Sequence, residues 1–520
     1  MNPSVLQSLA AAASLQLDGR GPDALAELCR ARQEGERAPK LYYAIGHLQF
    51  EMEHYDDAAG TYRELLDLDS RESTAWHNLA VCLERMGQWE TAAEAFQRAI
   101  EIDPRRTNAY LGRGIALLHL HEPQAALEAL ETCLERQPFR EAALRGKAAA
   151  LQSLDRPGEA ADVYQQLLAR DPQAEDLLIN TIALAIDLGD YQLVSQCAQR
   201  LLEMEPSSVV ALDCLALAAF ARRDYEAAAQ FCTTLVAVHP EHFAGWFNLG
   251  IACQRLGKHR EASEAYSRAV SLDPQSAEAR LYLGTALQEL EQWEPAQAAY
   301  EQALKLQPAM RAALWNLALL GERRRDLREA EKLYSLLTHH YPEAPDAWFR
   351  LGCVRLQLGD FSGSVETFER CLAFPTQRSE ALLNLGISRW RMGNPAQAKE
   401  AFRQILPSDP KFVEALRCLA AIALEHRDFE PALKLHKQLV ELEGPTADLL
   451  YNKALLLQKL GRAAEAVGCY RQALKKRPEF PEALLNLGHA LVTLGQPEEA
   501  HSCWQNALQV QPELAENFLI

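Results

Sequence analysis

Residues 243–276 read FAGWFNLGIACQRLGKHREASEAYSRAVSLDPQS, and this stretch decides the fold. Its Trp246 has counterparts at Trp76 and Trp348, 170 residues before and 102 residues after, which are five and three times 34. A frame opened three residues before each tryptophan puts repeat starts at 39, 73, 107, 141, 175, 209, 243, 277, 311, 345, 379, 413, 447 and 481. Fourteen 34-residue units therefore run to residue 514 without insertion or deletion. Self-similarity at such a period signals a stacked array of one supersecondary unit.

Positions within a repeat are numbered 1 to 34. Position 8 is small: Gly46, Ala80, Gly114, Ala148, Ala216, Gly250, Gly284, Ala318, Gly352, Gly386, Ala420, Ala454 and Gly488, with Ile182 as the large exception. Position 20 is alanine in twelve repeats, with Val194 and Ser364 as the exceptions. Position 24 is aromatic in ten, among them Tyr62, Phe96, Tyr300 and Phe402. Position 15 is often Gly and position 32 is Pro in eleven.

Each preference has a mechanical reason. Positions 4, 7, 8 and 11 share one face of a first helix, and positions 20, 24 and 27 share one face of a second. Small residues at 8 and 20 let the two helices approach, and the aromatic at 24 fills the wider gap beside them. Glycine at 15 supplies the left-handed residue that ends the first helix. Proline at 32 stops the second, because the residue before it avoids the α region. Plentiful Leu, Ala, Glu, Gln and Arg, with sparse β-branched residues, agree with helix throughout.

The pattern resembles the tetratricopeptide-repeat (TPR) family over residues 39–514. The resemblance implies an all-α, right-handed superhelical solenoid of antiparallel helix pairs. Residues 1–38 read as a degenerate N-terminal repeat acting as a cap. Within them Gly19, Ala24, Leu28 and Ala31 keep the frame, while position 32 lacks its proline. Terminal repeats deviate because one side faces water. Residues 515–520 form a short tail. Phe518, Leu519 and Ile520 are apolar, so this tail either folds back on the last repeat or makes an open end for docking or self-association.

Family geometry implies that positions 2, 5, 6, 9, 12 and 13 line the inner groove. Position 6 holds Asn78, Asn180, Asn248, Asn316, Asn384, Asn452 and Asn486. An amide both donates to and accepts from an extended backbone. The series resembles the asparagine ladder of O-linked N-acetylglucosamine transferases, although Asn-Leu-Gly is also common in TPR repeats at large. The same stretch adds Phe247, Trp315, Phe349, Trp390 and Tyr451 at positions 5 or 12, and Arg255, Arg323, Arg350, Arg391 and Lys459 at positions 6 or 13. Aromatic and Arg side chains are the usual binding hot spots. The expected site is a peptide-binding groove in the repeats starting at 243 through 447, with Asn486 one repeat on. No repeat triplet supplies the Lys and Asn pattern of a carboxylate clamp, so capture of chaperone tails is not expected.

The net charge is −18. Such a chain is a poor general ligand for phosphate backbones, and its acidity keeps an apolar-rich rod soluble. Twelve cysteines without a Cys-x-x-Cys pair fit a reducing, cytoplasmic setting. No stretch of about 18 uninterrupted apolar residues suggests a membrane span. Phosphate loops, nucleophile elbows, zinc motifs and dinucleotide fingerprints are missing from the sequence, so neither catalysis nor a cofactor is expected. The reading is a scaffold or adaptor for an extended polypeptide, or alternatively a substrate-recognition subunit for a separate enzyme such as a glycosyltransferase.

Overall fold

The computed structural model describes residues 3–376 and 378–513, and the C-terminal tail lies outside them. Among the described residues there are thirty helices and no strand. The chain forms two compact units, residues 1–265 and 266–520.

The first unit carries α1 (Pro3–Leu17), α2 (Gly21–Gln33), α3 (Pro39–Glu51), α4 (Tyr55–Leu68), α5 (Ser73–Arg85), α6 (Trp89–Ile102), α7 (Thr107–His119), α8 (Pro123–Arg136), α9 (Glu141–Ser153), α10 (Pro157–Leu168), α11 (Glu175–Asp187), α12 (Tyr191–Met204), α13 (Val209–Ala221), α14 (Tyr225–Val238) and α15 (Phe243–Arg255). The division falls within α16 (His259–Leu272). The second unit carries α17 (Ala277–Glu289), α18 (Trp293–Leu306), α19 (Arg311–Arg323), α20 (Leu327–His340), α21 (Pro345–Leu358), α22 (Phe361–Cys371), α23 (Arg378–Arg391), α24 (Pro395–Arg403), α25 (Phe412–Glu425), α26 (Phe429–Glu443), α27 (Ala447–Lys459), α28 (Ala463–Lys476), α29 (Pro481–Thr493) and α30 (Pro497–Val510). Consecutive helices pack on one another from α1 through α15 and from α17 through α30.

From α3 onward, first helices start at position 1, or one residue earlier in α23 and α25, and every second helix starts at position 17. The punctuation is local. Position 15 has positive φ in all fourteen repeats, but glycine occupies only seven of them. Glu53, His121, Asp155, Arg223, Glu291, Arg325 and Arg427 take the left-handed conformation with φ of 57–62°. The stacking of two helices thus imposes a conformation that the side chain resists by about 1 kcal/mol or more. Asp190, Asp224, Asp326 and Asp360, at position 16, accept a hydrogen bond from the first turn of the helix that follows.

The tryptophans that mark the period join repeats. The indole N–H groups of Trp76, Trp246 and Trp348 donate to the carbonyls of Ser70, Pro240 and Pro342, at position 32 of the preceding unit, at 3.0, 2.9 and 2.8 Å. Arg280, at the same position as these tryptophans, donates to the Pro274 carbonyl at 2.7 Å.

The core follows the small-to-large arrangement. A Cβ on Gly284 would come within 2.5 Å of the Tyr300 ring, and one on Gly352 within 2.7 Å of Phe368. Both rings are fully buried. In the repeat 175–208 the sizes are exchanged: Ile182, Val194 and Ala198 replace small, small and aromatic, and all three are buried in one apolar cluster running from Leu127 to Ala218. That cluster continues through α10, α11, α12 and α13.

Candidate protein-interaction surface

The expected groove side chains all lie on first helices, but the structure gives many of them an internal partner. At position 5, Trp315 meets Tyr334 edge-on at 5.8 Å, Phe349 meets Phe368 edge-on at 5.9 Å, and Tyr451 lies 5.9 Å from Tyr470. In each case the partner is the position-24 ring of the same repeat. Tyr43 and Tyr62, at 6.3 Å, repeat the arrangement in the first unit. These rings are half-buried and extend the seam between a repeat's two helices toward the exposed face. Trp390, at position 12, donates its indole N–H to Glu425 at 2.8 Å. Phe247 stacks on Phe243, 5.8 Å away and nearly parallel.

The position-24 tyrosines organise the polar part of this face. The hydroxyls of Tyr164, Tyr300 and Tyr470 donate to the position-12 glutamines Gln152, Gln288 and Gln458 at 3.3, 3.2 and 2.8 Å. Tyr334 donates instead to Glu322 at 2.5 Å, and Arg350 of the next repeat donates to the same carboxylate at 3.3 Å. Burial, then the hydrogen bond to Glu322, hold the Tyr334 hydroxyl well above the ordinary phenol range. Arg350 is therefore part of an inter-repeat pair.

The position-6 amides are similarly drawn in. The amides of Asn316 and Asn78 stand beside the hydroxyls of Tyr300 and Tyr62, each in the preceding repeat, and work against the upward push of burial on them. Burial nevertheless pushes the Tyr62 hydroxyl up to about 12. Asn486 donates to the Tyr451 hydroxyl at 3.0 Å and to the Glu482 carbonyl at 3.0 Å. Asn384 donates to the Cys353 sulfur at 3.8 Å, and burial first of all pushes that thiol up to about 11. Asn248 is half-buried and Asn452 exposed. The amides are thus joints between repeats as much as an outward row.

The cations at position 13 are placed differently. Arg255, Arg323, Arg391 and Lys459 are the last residues of α15, α19, α23 and α27 and stand exposed. Positive charge there favours the helix dipole, and it leaves the head groups in solvent. Arg323 also lies over the Trp293 ring, 5.8 Å from its centre.

Sequence spacing does not single out one further pair. Asp213 on α13 has a buried carboxylate oxygen, Oδ1, without a hydrogen-bond partner, and its Oδ2 lies 3.5 Å from His242 Nε2. The signal for it is the composition of α13, VVALDCLALAAFA, in which Asp213 is the single charge.

Among the described residues no group of three or more His, Cys, Asp or Glu side chains could hold a metal ion. His119, paired with His121 in sequence, is stacked on Trp89 at 3.8 Å. None of the described helices is long and apolar enough to cross a membrane.

No curated protein sequence matches the chain. Similar solved structures include Naa15/Naa10 bound to HypK-THB, with 12% identity, 98% of this chain and 94% of that chain covered, and a TM-score of 0.38. They include the APC/C hetero-tetramer Cut9-Hcn1, with 16% identity, coverage of 88% and 98%, and a TM-score of 0.28. MamA matches at 23% identity, over 32% of this chain and 97% of its own, with a TM-score of 0.29. Likeness at these identities says nothing of the partners this chain takes. The tetratricopeptide-repeat profile matches residues 43–107, 111–175, 283–339, 322–377, 383–442 and 451–509, and a second profile of the same description matches 243–276. With the helix pairs, the small-to-aromatic seam and these matches over more than half its length, the chain belongs to the tetratricopeptide-repeat family.

Proposed function

We propose that this protein is a non-catalytic scaffold that binds another polypeptide along the first-helix face of its second unit. The observation that carries the reading is the row of solvent-facing cations Arg323, Arg391 and Lys459, 68 residues apart and flanked by half-buried Trp315, Phe349, Trp390 and Tyr451. Rigid aromatic anchors beside exposed cations suit a partner segment carrying carboxylates and apolar side chains. Because Asn384, Asn486 and Arg350 have internal partners, the cations and ring edges are the stronger contributors and the amides the weaker ones. The repeat has no need of a catalytic group for this work. Asn248, Arg255 and Phe247 belong to the first unit and extend the same kind of face there. Residues 1–38 would cap the array, consistent with the burial of Val5, Leu28 and Leu41 in one cluster. Self-association through Phe518–Ile520 concerns residues outside those described.

The test is affinity isolation on the immobilised full chain. A partner retained by the wild type and by Lys332→Glu, on the second helix α20, but lost from the Arg391→Glu/Lys459→Glu double variant supports the first-helix face. Equal retention by all three proteins sinks it. Co-purification of a separate transferase that depends on the same two cations would identify the scaffold as an enzyme's substrate-recognition subunit.

A further inference from the structure

Two first helices of the first unit, α11 and α13, carry a surface of opposite character. On α11 and α13, positions 2, 5, 6, 9, 12 and 13 hold Ile179, Ile186, Val210, Leu217 and Phe220 beside the carboxylates Asp176, Asp187 and Asp213, and no Lys or Arg. These positions share one helix face. Val210 is 46% exposed, and Ile179 and Leu217 are each 39% exposed. A helix apolar on every side ordinarily turns all of its surface inward, yet α13 keeps two large aliphatic side chains in solvent.

Asp213 stands on this face. Its Oδ1 is shielded from solvent without a hydrogen-bond partner, an arrangement that costs free energy. The neighbouring imidazole does not reach this oxygen: His242 Nδ1 accepts the Gly245 N–H at 3.0 Å, and its Nε2 lies 3.5 Å from Oδ2. Burial pushes the Asp213 carboxyl up, and His242 is the one group that opposes this. The surroundings are acidic as well. Residues 175–238 hold nine acidic and three basic side chains, and residues 1–265 hold 39 acidic and 24 basic against 32 and 29 in 266–520.

We propose that the α11–α13 face docks an apolar protein segment that carries a lysine or arginine, the aliphatic side chains covering Ile179, Val210 and Leu217 and the cation pairing with Asp213. The cation would pair with the carboxylate from its Oδ2 side, since Oδ1 is shielded from solvent, in a site that the apolar contact largely clears of water and where a charge-assisted bond is strongest. The acidic field of the first unit would speed encounter with such a segment and repel acidic ones. This surface lies in the other unit from the cationic row and selects the opposite charge, so the two assignments stand or fall separately.

The probe is a fluorescein-labelled 14-residue peptide of leucine and lysine at helical amphipathic spacing, titrated against the full chain by anisotropy. A leucine–glutamate peptide and a serine–lysine peptide of equal charge serve as comparisons. Leucine–lysine binding should weaken at least tenfold in Asp213→Asn and in Leu217→Ser, and not in Leu336→Ser on α20. Wild-type affinity in both Asp213→Asn and Leu217→Ser overturns the proposal. So does equal binding of the serine–lysine peptide, which would reduce the effect to bulk charge. If Leu217→Ser loses helical circular dichroism, Val210→Ser, at the more exposed site, takes its place with the same expected weakening.

Discussion

In the repeat 277–310, Gly284 faces the buried ring of Tyr300; in the repeat 175–208, the same two positions hold Ile182 and Ala198. Both pairs are shielded from water and both repeats pack on their neighbours. What is kept between them is the summed volume across the helix seam, and the identity of the residue at either position is secondary. Interiors tolerate exchange of this kind when volume is held, and resist it when one partner changes alone.

The comparison can be broken by single substitutions. The largest effect is expected from Tyr300→Ala, which should cost about 4 kcal/mol through lost burial and the cavity left behind. Native-state hydrogen exchange of the α17 and α18 amides reads it locally, as a repeat array does not unfold as one two-state unit. Next, Gly284→Ile should cost about 2–3 kcal/mol by overpacking against Tyr300, and Ala198→Tyr a similar amount against Ile182. The double variant Gly284→Ile/Tyr300→Ala copies the 175–208 arrangement. It should recover about 2 kcal/mol relative to the sum of its parts, and strict additivity would show that volume exchange is not what relates the two repeats.

The turns of the same repeats give the smaller effects. Gly189 has φ of 70° and Glu291 of 58° at equivalent positions. Gly189→Ala should destabilise α11 and α12 by about 1 kcal/mol, because a Cβ opposes the left-handed conformation. Glu291→Gly should stabilise α17 and α18 by about 0.5 kcal/mol, the relief of that opposition being partly offset by glycine's greater unfolded-state entropy. Hydrogen-exchange protection of the flanking helices moving in opposite directions checks both, and unchanged protection for Glu291→Gly would mean that its side chain gains elsewhere what its backbone loses.

The helix pairs were legible in the sequence because their signals are local and repeated. Trp246 marks the period, Gly257 ends α15, and Pro274 stops α16, each acting within a few residues of itself. The candidate surface was legible only in part. Position 13 could be read as a row of outward cations, since the last residue of a helix on the polar side has little to pack against. Positions 5 and 6 could not be read so simply. Trp315 and Asn486 look like groove residues on α19 and α29 alone, yet their partners Tyr334 and Tyr451 come from α20 and α27, 19 and 35 residues away. Asp213 shows the same limit: its spacing is ordinary, and only the packing of α13 removes Oδ1 from water.

By itself, the sequence determined the period, the helix stops and the left-handed turns that fall on glycine, because these depend on side-chain size and backbone sterics within one repeat. The tertiary structure alone decided that Ile182 and Ala198 fill the seam that Gly284 and Tyr300 fill elsewhere. It also decided which asparagines are tied to a neighbouring repeat and which carboxylate oxygen is left without a hydrogen bond. The physical reason is that burial and hydrogen-bond satisfaction are properties of facing helices, and a linear chain does not show which groups its neighbours will cover.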